Sequence, residues 1–260
     1  SIRTRPAGWP VMYQTWDKLL FVHWPIAAEL LQPLIASGLR LDTFEGRAWV
    51  SVSPFTMWGM RPLFFPPLPV LSQSHELNVR TYVHVEGVPG VWFFSLDASN
   101  ALAVFGARLS LGLPYFRARM RLQEHQAAIH FTSTRVHPGA PAAQFEGTWS
   151  RGEPLPSPPP DTLDFFLVER YCLYTTRRGQ LYRVRIFHRP WPLRRVERLS
   201  GRRPATHRIV DVCQHLELVG RLDHPQCLLE VGAHDFVGCD MVGGAGPEQE
   251  IEYTVNRHRV

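Results

Sequence analysis

The chain has 260 residues, of which 45% are hydrophobic and 20% charged, with a formal net charge of +5. That length can bury a sizeable core, as one large domain or two small ones, and the composition is that of an ordinary globular protein. No run approaches the roughly 18 apolar residues of a membrane span, and the basic residues, nearly all arginine and scattered, form no nucleic-acid-binding stripe.

SIRTRPAGWP at the start has no apolar signal core behind it, which makes the cytoplasm the expected compartment. WDKLLFVHW, 16–24, reads as a buried strand. Pro25 then sits where a helix would begin, and IAAELLQPLI continues to Gly38, with Pro33 kinking or splitting it. LRLDTFEGRAWVSVSPF gives two strands punctuated at Gly46. PLFFPPLPVLS, 62–72, is too rich in proline for a regular element and reads as an apolar loop that covers something. ELNVRTYV, 76–83, alternates strictly: Leu77, Val79, Thr81 and Val83 on one face, Glu76, Asn78, Arg80 and Tyr82 on the other. A turn in VEGVPG joins it to VWFFSLD as a hairpin.

ASNALAVFGARLSLG predicts a short helix capped by Asp97 or Ser99 and stopped by Gly112. Strands YFRARMRL, AAIHFTSTRV and QFEGTWS follow, then a proline-rich connection, GEPLPSPPP. DTLDFFLVERY predicts a helix with an Asp cap, and LYTTRRGQLYRVRIFHRPW a hairpin turning at Arg178–Gly179. The expected fold is therefore mainly β, largely antiparallel, with flanking helices (α+β). Cys172, Cys213, Cys227 and Cys239 form no C-x-x-C pair and read as reduced thiols. No dinucleotide, P-loop, zinc-protease or nucleophile-elbow motif is present.

Six blocks in order, LLFVHWP, LRLDTFEGRAWVSVSPF, ELNVRTYV with GVWFFSLDA, LPYFRARM, FFLVERYCLY and HRPWPL, resemble the YqjF-like family of bacterial proteins, a domain of unknown function. The resemblance runs from about residue 15 to about 195. That family is similar in turn to the acetoacetate decarboxylase-like superfamily, which implies an antiparallel barrel or double sheet flanked by helices, with an internal pocket. In such a barrel alternate residues point inward. Glu76, Asn78, Arg80 and Tyr82 would then line a polar pocket, with Leu77 and Val79 against outer helices. The other reading is a strand whose polar face meets solvent.

Decarboxylases of that superfamily form a Schiff base through a lysine that follows a proline after a helix. Here the proline is Pro114, but Tyr115 and Phe116 stand where the lysine pair belongs, and Lys18 is the sole lysine. Tyrosine can donate a hydrogen bond but forms no imine. The candidate catalytic groups are Glu76 as base, Arg80 as clamp for a carboxylate or phosphate, and Tyr115 as donor to an oxyanion. Asn78, Trp49, Tyr82 and Trp92 are candidates for ligand binding. Against this, Glu76 and Arg80 could form only a cross-face ion pair. Arg117, Arg119 and Arg121 read as a solvated face, His23 as a core histidine, and Glu169–Tyr171 with His188 and Trp191 as a structural corner.

Residues 1–197 are taken as the barrel domain and 198–260 as a divergent, loosely packed extension, either lineage-specific or the product of a shifted reading frame. Within it, Cys213, His215, His224 and Cys227 fit no standard zinc spacing, and no metal is expected. GGAGPE, 243–248, reads as a flexible loop. The function expected is a cofactor-free polar pocket for a small carboxylate or similar anion, with a lyase, hydratase or isomerase step as its enzymatic form. The alternative is a non-catalytic binding or protein-interaction module. Neither nucleic acid nor membrane is an expected partner.

Overall fold

The computed structural model describes residues 12–62, 64, 66, 69, 73–200, 227–231 and 250–255. Strands β1 (Met12–Asp17) and β2 (Leu19–Ile26) are separated by Lys18, whose φ of 53° breaks what the sequence suggested was one run. Pro25 lies inside β2 rather than opening a helix. The helix that follows is a single turn, α1 (Ala28–Leu31), which passes into a 3-10 turn carrying Pro33. Then come β3 (Arg40–Leu41), β4 (Ala48–Pro62), β5 (Gln73–Val85) and β6 (Val88–Ala98). The β5–β6 hairpin turns on two residues, Glu86 and Gly87, both with positive φ, a geometry that matches the twist of the strands it joins.

Helix α2 (Ala101–Leu111) is capped by Asn100, whose side chain accepts from the amides of Leu102 and Ala103, and stops at left-handed Gly112. The expected caps Asp97 and Ser99 lie too early: Asp97 is still in β6. Next come β7 (Tyr115–His125), β8 (Ala128–Arg135), β9 (Gln144–Pro154) and α3 (Leu163–Val168). Thr162, not Asp161, caps α3 by accepting from the amide of Phe165. Strands β10 (Cys172–Arg177), β11 (Gln180–Phe187), β12 (Leu193–Ser200), β13 (Cys227–Val231) and β14 (Glu250–Val255) complete the chain.

The sheet is mainly antiparallel, with β6 parallel to both β7 and β10. Parallel approach to β10 is close at Gly90, where a Cβ would meet the Tyr174 ring at 2.7 Å. Pairings run in a circuit from β4 through β1, β14, β11, β10, β6 and β5 back to β4. Two hydrophobic cores flank β4 and β5. Leu77 and Val79 belong to the first, with Val50 and Val52 of β4, Phe131 of β8 and Trp149 of β9. They therefore belong to a core built mainly with a second layer of sheet, to which the short helix α1 adds Leu31. The second core, inside the circuit, holds Trp16, Phe21, Trp49, Phe55, Tyr82 and Trp191. Each fully buried large apolar side chain contributes about 1.5–3 kcal/mol.

Of the stretch 198–260, β13 pairs with β2 and β12, and β14 with β1 and β11. Cys213, His215 and His224, whose spacing fits no standard zinc site, and the glycine loop 243–248 lie outside the described residues, as does the Cys227 side chain. So does most of the covering loop 62–72, of which Phe64 is exposed. No described helix is long and apolar enough to cross a membrane.

Candidate functional site

Every residue of β5 from Glu76 to Val83 is buried, so its polar face does not meet bulk water. Glu76, Asn78 and Arg80 lie across from Phe55, Ser53 and Ser51 of β4, all inside the circuit. There the structure has a cavity of about 370 Å³. Its walls come from Gln14 and Trp16 of β1, Glu76 and Asn78 of β5, Phe93 and Leu96 of β6, Leu173 of β10, and Tyr115 at the start of β7. Helix α2 closes one end with Ala103, Gly106, Ala107 and Ser110. These recur at i, i+3, i+4 and i+7, one helix face, and their small size leaves the space open. The large residues Leu102, Phe105 and Leu109 are 60%, 67% and 64% exposed. A broader hollow of about 810 Å³ beside Gln32, Arg40 and His84 lies elsewhere, against β3 and α1.

Two of the expected catalytic groups meet in the cavity. The Tyr115 hydroxyl donates to the Glu76 carboxyl, 3.2 Å from Oε2 and 3.5 Å from Oε1. Burial pushes the Glu76 carboxyl up to about 8, against the opposing pull of the Tyr115 hydrogen bond. Desolvation wins because, among the described residues, no cation stands close enough to hold the charge. Asn78 is also a wall residue, and its Oδ1 is buried with no hydrogen-bond partner among the described residues.

Arg80 does not join them. It forms no ion pair with Glu76 and is not part of the cavity wall. Its guanidinium lies deeper, 5.3 Å from the centre of the Phe21 ring. Tyr82 is likewise deeper: its hydroxyl donates to the Leu167 carbonyl at 3.0 Å and meets His23 Nδ1 at 3.1 Å. Both His23 and Tyr82 are thus tied into packing, and burial lowers the one and raises the other. Trp49 is buried in the same core and does not line the cavity. Trp92, expected at the pocket, does not line the cavity. It pairs with Thr81, so it faces away from Glu76 and Arg80 and packs against the small cluster of Ile35, Leu39, Val83 and Tyr174.

The other sequence features are structural. Arg117, Arg119 and Arg121 are exposed, while Ala118 and Met120 between them are buried. Tyr171 stacks on His188 with ring centres 4.3 Å apart, His188 packs on Trp191, and Arg170 pairs with Asp42. Trp16, Gln14 and Phe93 are wall residues that sequence reasoning missed. The two-residue hairpin turn carried the signal for Phe93, since it fixes which β6 residue opposes Arg80. The small-residue face of α2 was also legible.

Residues 13–209 match the DUF2071 family, described as an uncharacterized conserved protein. The uncharacterized protein YqjF of Bacillus subtilis (strain 168) is 43% identical over 195 residues, covering 74% of this chain and 78% of that protein. Among solved structures, acetoacetate decarboxylase from Legionella pneumophila superposes with a TM-score of 0.59 at 13% identity, over 96% of this chain and 86% of the other. An acetoacetate decarboxylase-like enzyme from Sphingomonas wittichii RW1 gives 0.58 at 10% identity, over 96% and 93%. These likenesses establish an acetoacetate decarboxylase-like fold.

Proposed function

This chain belongs to the DUF2071 family, and from that premise we propose that it binds a small organic molecule in the cavity beneath α2 and that Glu76 and Tyr115 can move a proton there. The carrying observation is the pairing of a buried carboxyl with a phenol inside an otherwise largely apolar cavity. With its carboxyl pushed up to about 8, Glu76 is mostly protonated at neutral pH and can give its proton to a ligand oxygen. The carboxylate left behind is stabilised by the hydrogen bond from Tyr115. The reverse transfer makes Glu76 a base. A cofactor-free isomerase or lyase step needs no more than this pair and a ligand with an acidic C–H or a leaving hydroxyl.

Imine chemistry is a poor fit. It needs a primary amine, and the chain's one lysine, Lys18, contacts Glu124 at 2.8 Å and is absent from the cavity wall. Because Arg80 stands apart from the Glu76–Tyr115 pair, the geometry favours binding first and catalysis as its extension. A ligand-observed NMR fragment screen against the wild-type chain and Glu76→Leu tests the reading. Hits that lose binding in the variant support it, and hits indifferent to both Glu76→Leu and Tyr115→Phe overturn it.

A further inference from the structure

Two carboxyls are sealed on the neighbouring strands β5 and β6, and their partners differ in kind. Asp97 of β6 is 1% exposed and is held by Arg135, whose Nε and Nη2 lie 2.9 Å and 2.6 Å from Oδ1. Glu76 of β5 is 3% exposed and has the Tyr115 phenol, but no cation among the described residues. Arginine, lysine and histidine are all absent from the described wall of the cavity, and Arg80, further along the same face of β5, makes no ion pair with Glu76. Asn78, the next residue on that face after Glu76, lines the same cavity with its Oδ1 buried and without a partner among the described residues. What this wall lacks is a positive charge and an N–H donor.

We propose, on the reading of the cavity beneath α2 as a ligand site, that its ligand is a small organic amine, bound as the ammonium ion between the Glu76 carboxylate and the Asn78 side-chain oxygen. One ammonium group supplies both missing elements, three N–H donors and one positive charge. The Tyr115 hydroxyl already donates to Glu76, which favours the charged carboxylate and hence the pair. Trp16, Phe93 and Tyr115 bring aromatic rings to the wall, the surroundings that attract an organic cation. Leu96, Leu113 and Leu173 are there for the apolar body of the molecule. Leu102 both lines the cavity and is exposed, so among the described residues there is a way in beside the first turn of α2.

Charge balance sets the selectivity. An ammonium ion beside an ionised Glu76 leaves the cavity neutral, whereas a carboxylate would enter with no described cation in the wall to meet it. The sign is opposite to the anion that Arg80 suggested in the sequence, because Arg80 is not in the wall. Pairing also changes the proton count. With its carboxyl pushed up to about 8, Glu76 is mostly protonated at neutral pH, and the arriving ammonium ion displaces that O–H proton to solvent. Binding therefore releases about one proton and strengthens about tenfold per pH unit up to about 8, where the carboxyl ionises unaided. It leaves Glu76 in the form that acts as a base.

Isothermal titration with phenethylamine, neutral 2-phenylethanol and anionic phenylacetate tests this on the wild-type chain and Glu76→Gln, at constant ionic strength and in two buffers of different ionisation enthalpy. Phenethylamine is expected to bind in preference to the other two, with about one proton released per molecule at neutral pH. Glu76→Gln should weaken it about 10- to 100-fold, the worth of a charge-assisted hydrogen bond, and abolish the proton release, while changing 2-phenylethanol binding far less. The proton count and the pH slope on the wild-type chain give the same answer if Glu76→Gln does not fold. Binding of 2-phenylethanol or phenylacetate as tight as that of phenethylamine, amine binding without proton release, or no amine binding at all overturns the ammonium site. Fragment hits dependent on Glu76 would still leave the cavity reading standing. Silence from every probe and from the fragment screen ends both.

Discussion

The two faces of β5 are equally buried and chemically opposite. On one, Leu77 and Val79 meet Phe131, Phe145 and Trp149 in a core filled with apolar side chains. On the other, Glu76, Asn78 and Arg80 are just as buried, and the first two line a cavity. A fold that can seal one face with valine and leucine has no structural need to line the other with a carboxyl, an amide and a guanidinium. Buried polar groups with unmet hydrogen-bonding capacity lower stability. Their presence on one face alone separates what holds the fold together from what the fold is for.

The difference is broken most directly on the apolar side. Leu77→Ala should destabilise the chain by about 3 kcal/mol, since it opens a hole in a packed core that cannot collapse around it. Denaturant unfolding reads this. A loss below about 1 kcal/mol would mean that this core is as loose as the cavity side, and the contrast would fail.

Glu76→Gln comes next and acts through pH. The folded-state value for Glu76, about 8, lies above the ordinary 4.5, so its contribution is fully present below 4.5 and is lost as pH rises toward 8. The wild-type chain should lose stability over that window by up to a few kcal/mol relative to Glu76→Gln, which cannot ionise. The difference between the two is the quantity to measure. Buried His23, His75 and His188, whose values are lowered by desolvation, act in the opposite direction as pH falls below about 6.5 and cancel in it. Parallel melting curves for the two chains across the window would show Glu76 to be solvated.

Much of this contrast was legible in the alternation of ELNVRTYV, which placed Glu76, Asn78 and Arg80 together on one face. The hairpin with its turn at Glu86–Gly87 also gave the register that turns Trp92 outward, though the tryptophan's size suggested a wall. Two things were not legible. Burial of both faces depends on a second sheet layer built from β7, β8 and β9, which local pattern cannot announce. The distance from Arg80 to the Glu76–Tyr115 pair depends on how the circuit of strands closes, and alternation alone made the three look like one constellation. Helix ends were off by a residue or more because Asn100 and Thr162 outcompeted neighbouring cap candidates for the free amides.

Asn78→Leu sharpens the comparison by moving an apolar side chain onto the polar face. The substitution keeps the branched outline of the side chain, puts its extra bulk beside the cavity and removes an acceptor that has no donor, so stability should rise by about 1 kcal/mol while ligand binding is lost. A loss of stability of the same size would make Asn78 part of the scaffold and its face no different in purpose from the other.

Tyr115→Phe is the smallest change. The phenol touches Glu76 at 3.2 Å, near the long end of hydrogen bonding, so its removal should cost less than about 1 kcal/mol. Its effect on titration is more telling than its effect on stability. The hydrogen bond favours the ionised carboxyl and opposes the burial that raises it, so losing the donor leaves desolvation unopposed and moves Glu76 further up. Carboxyl ¹³C NMR of the two chains reads that displacement. A downward movement, or none, would mean that water enters the space the hydroxyl vacates and takes over its hydrogen bond. The cavity would then be wet at rest, and Glu76 would owe its proton to something other than a dry wall.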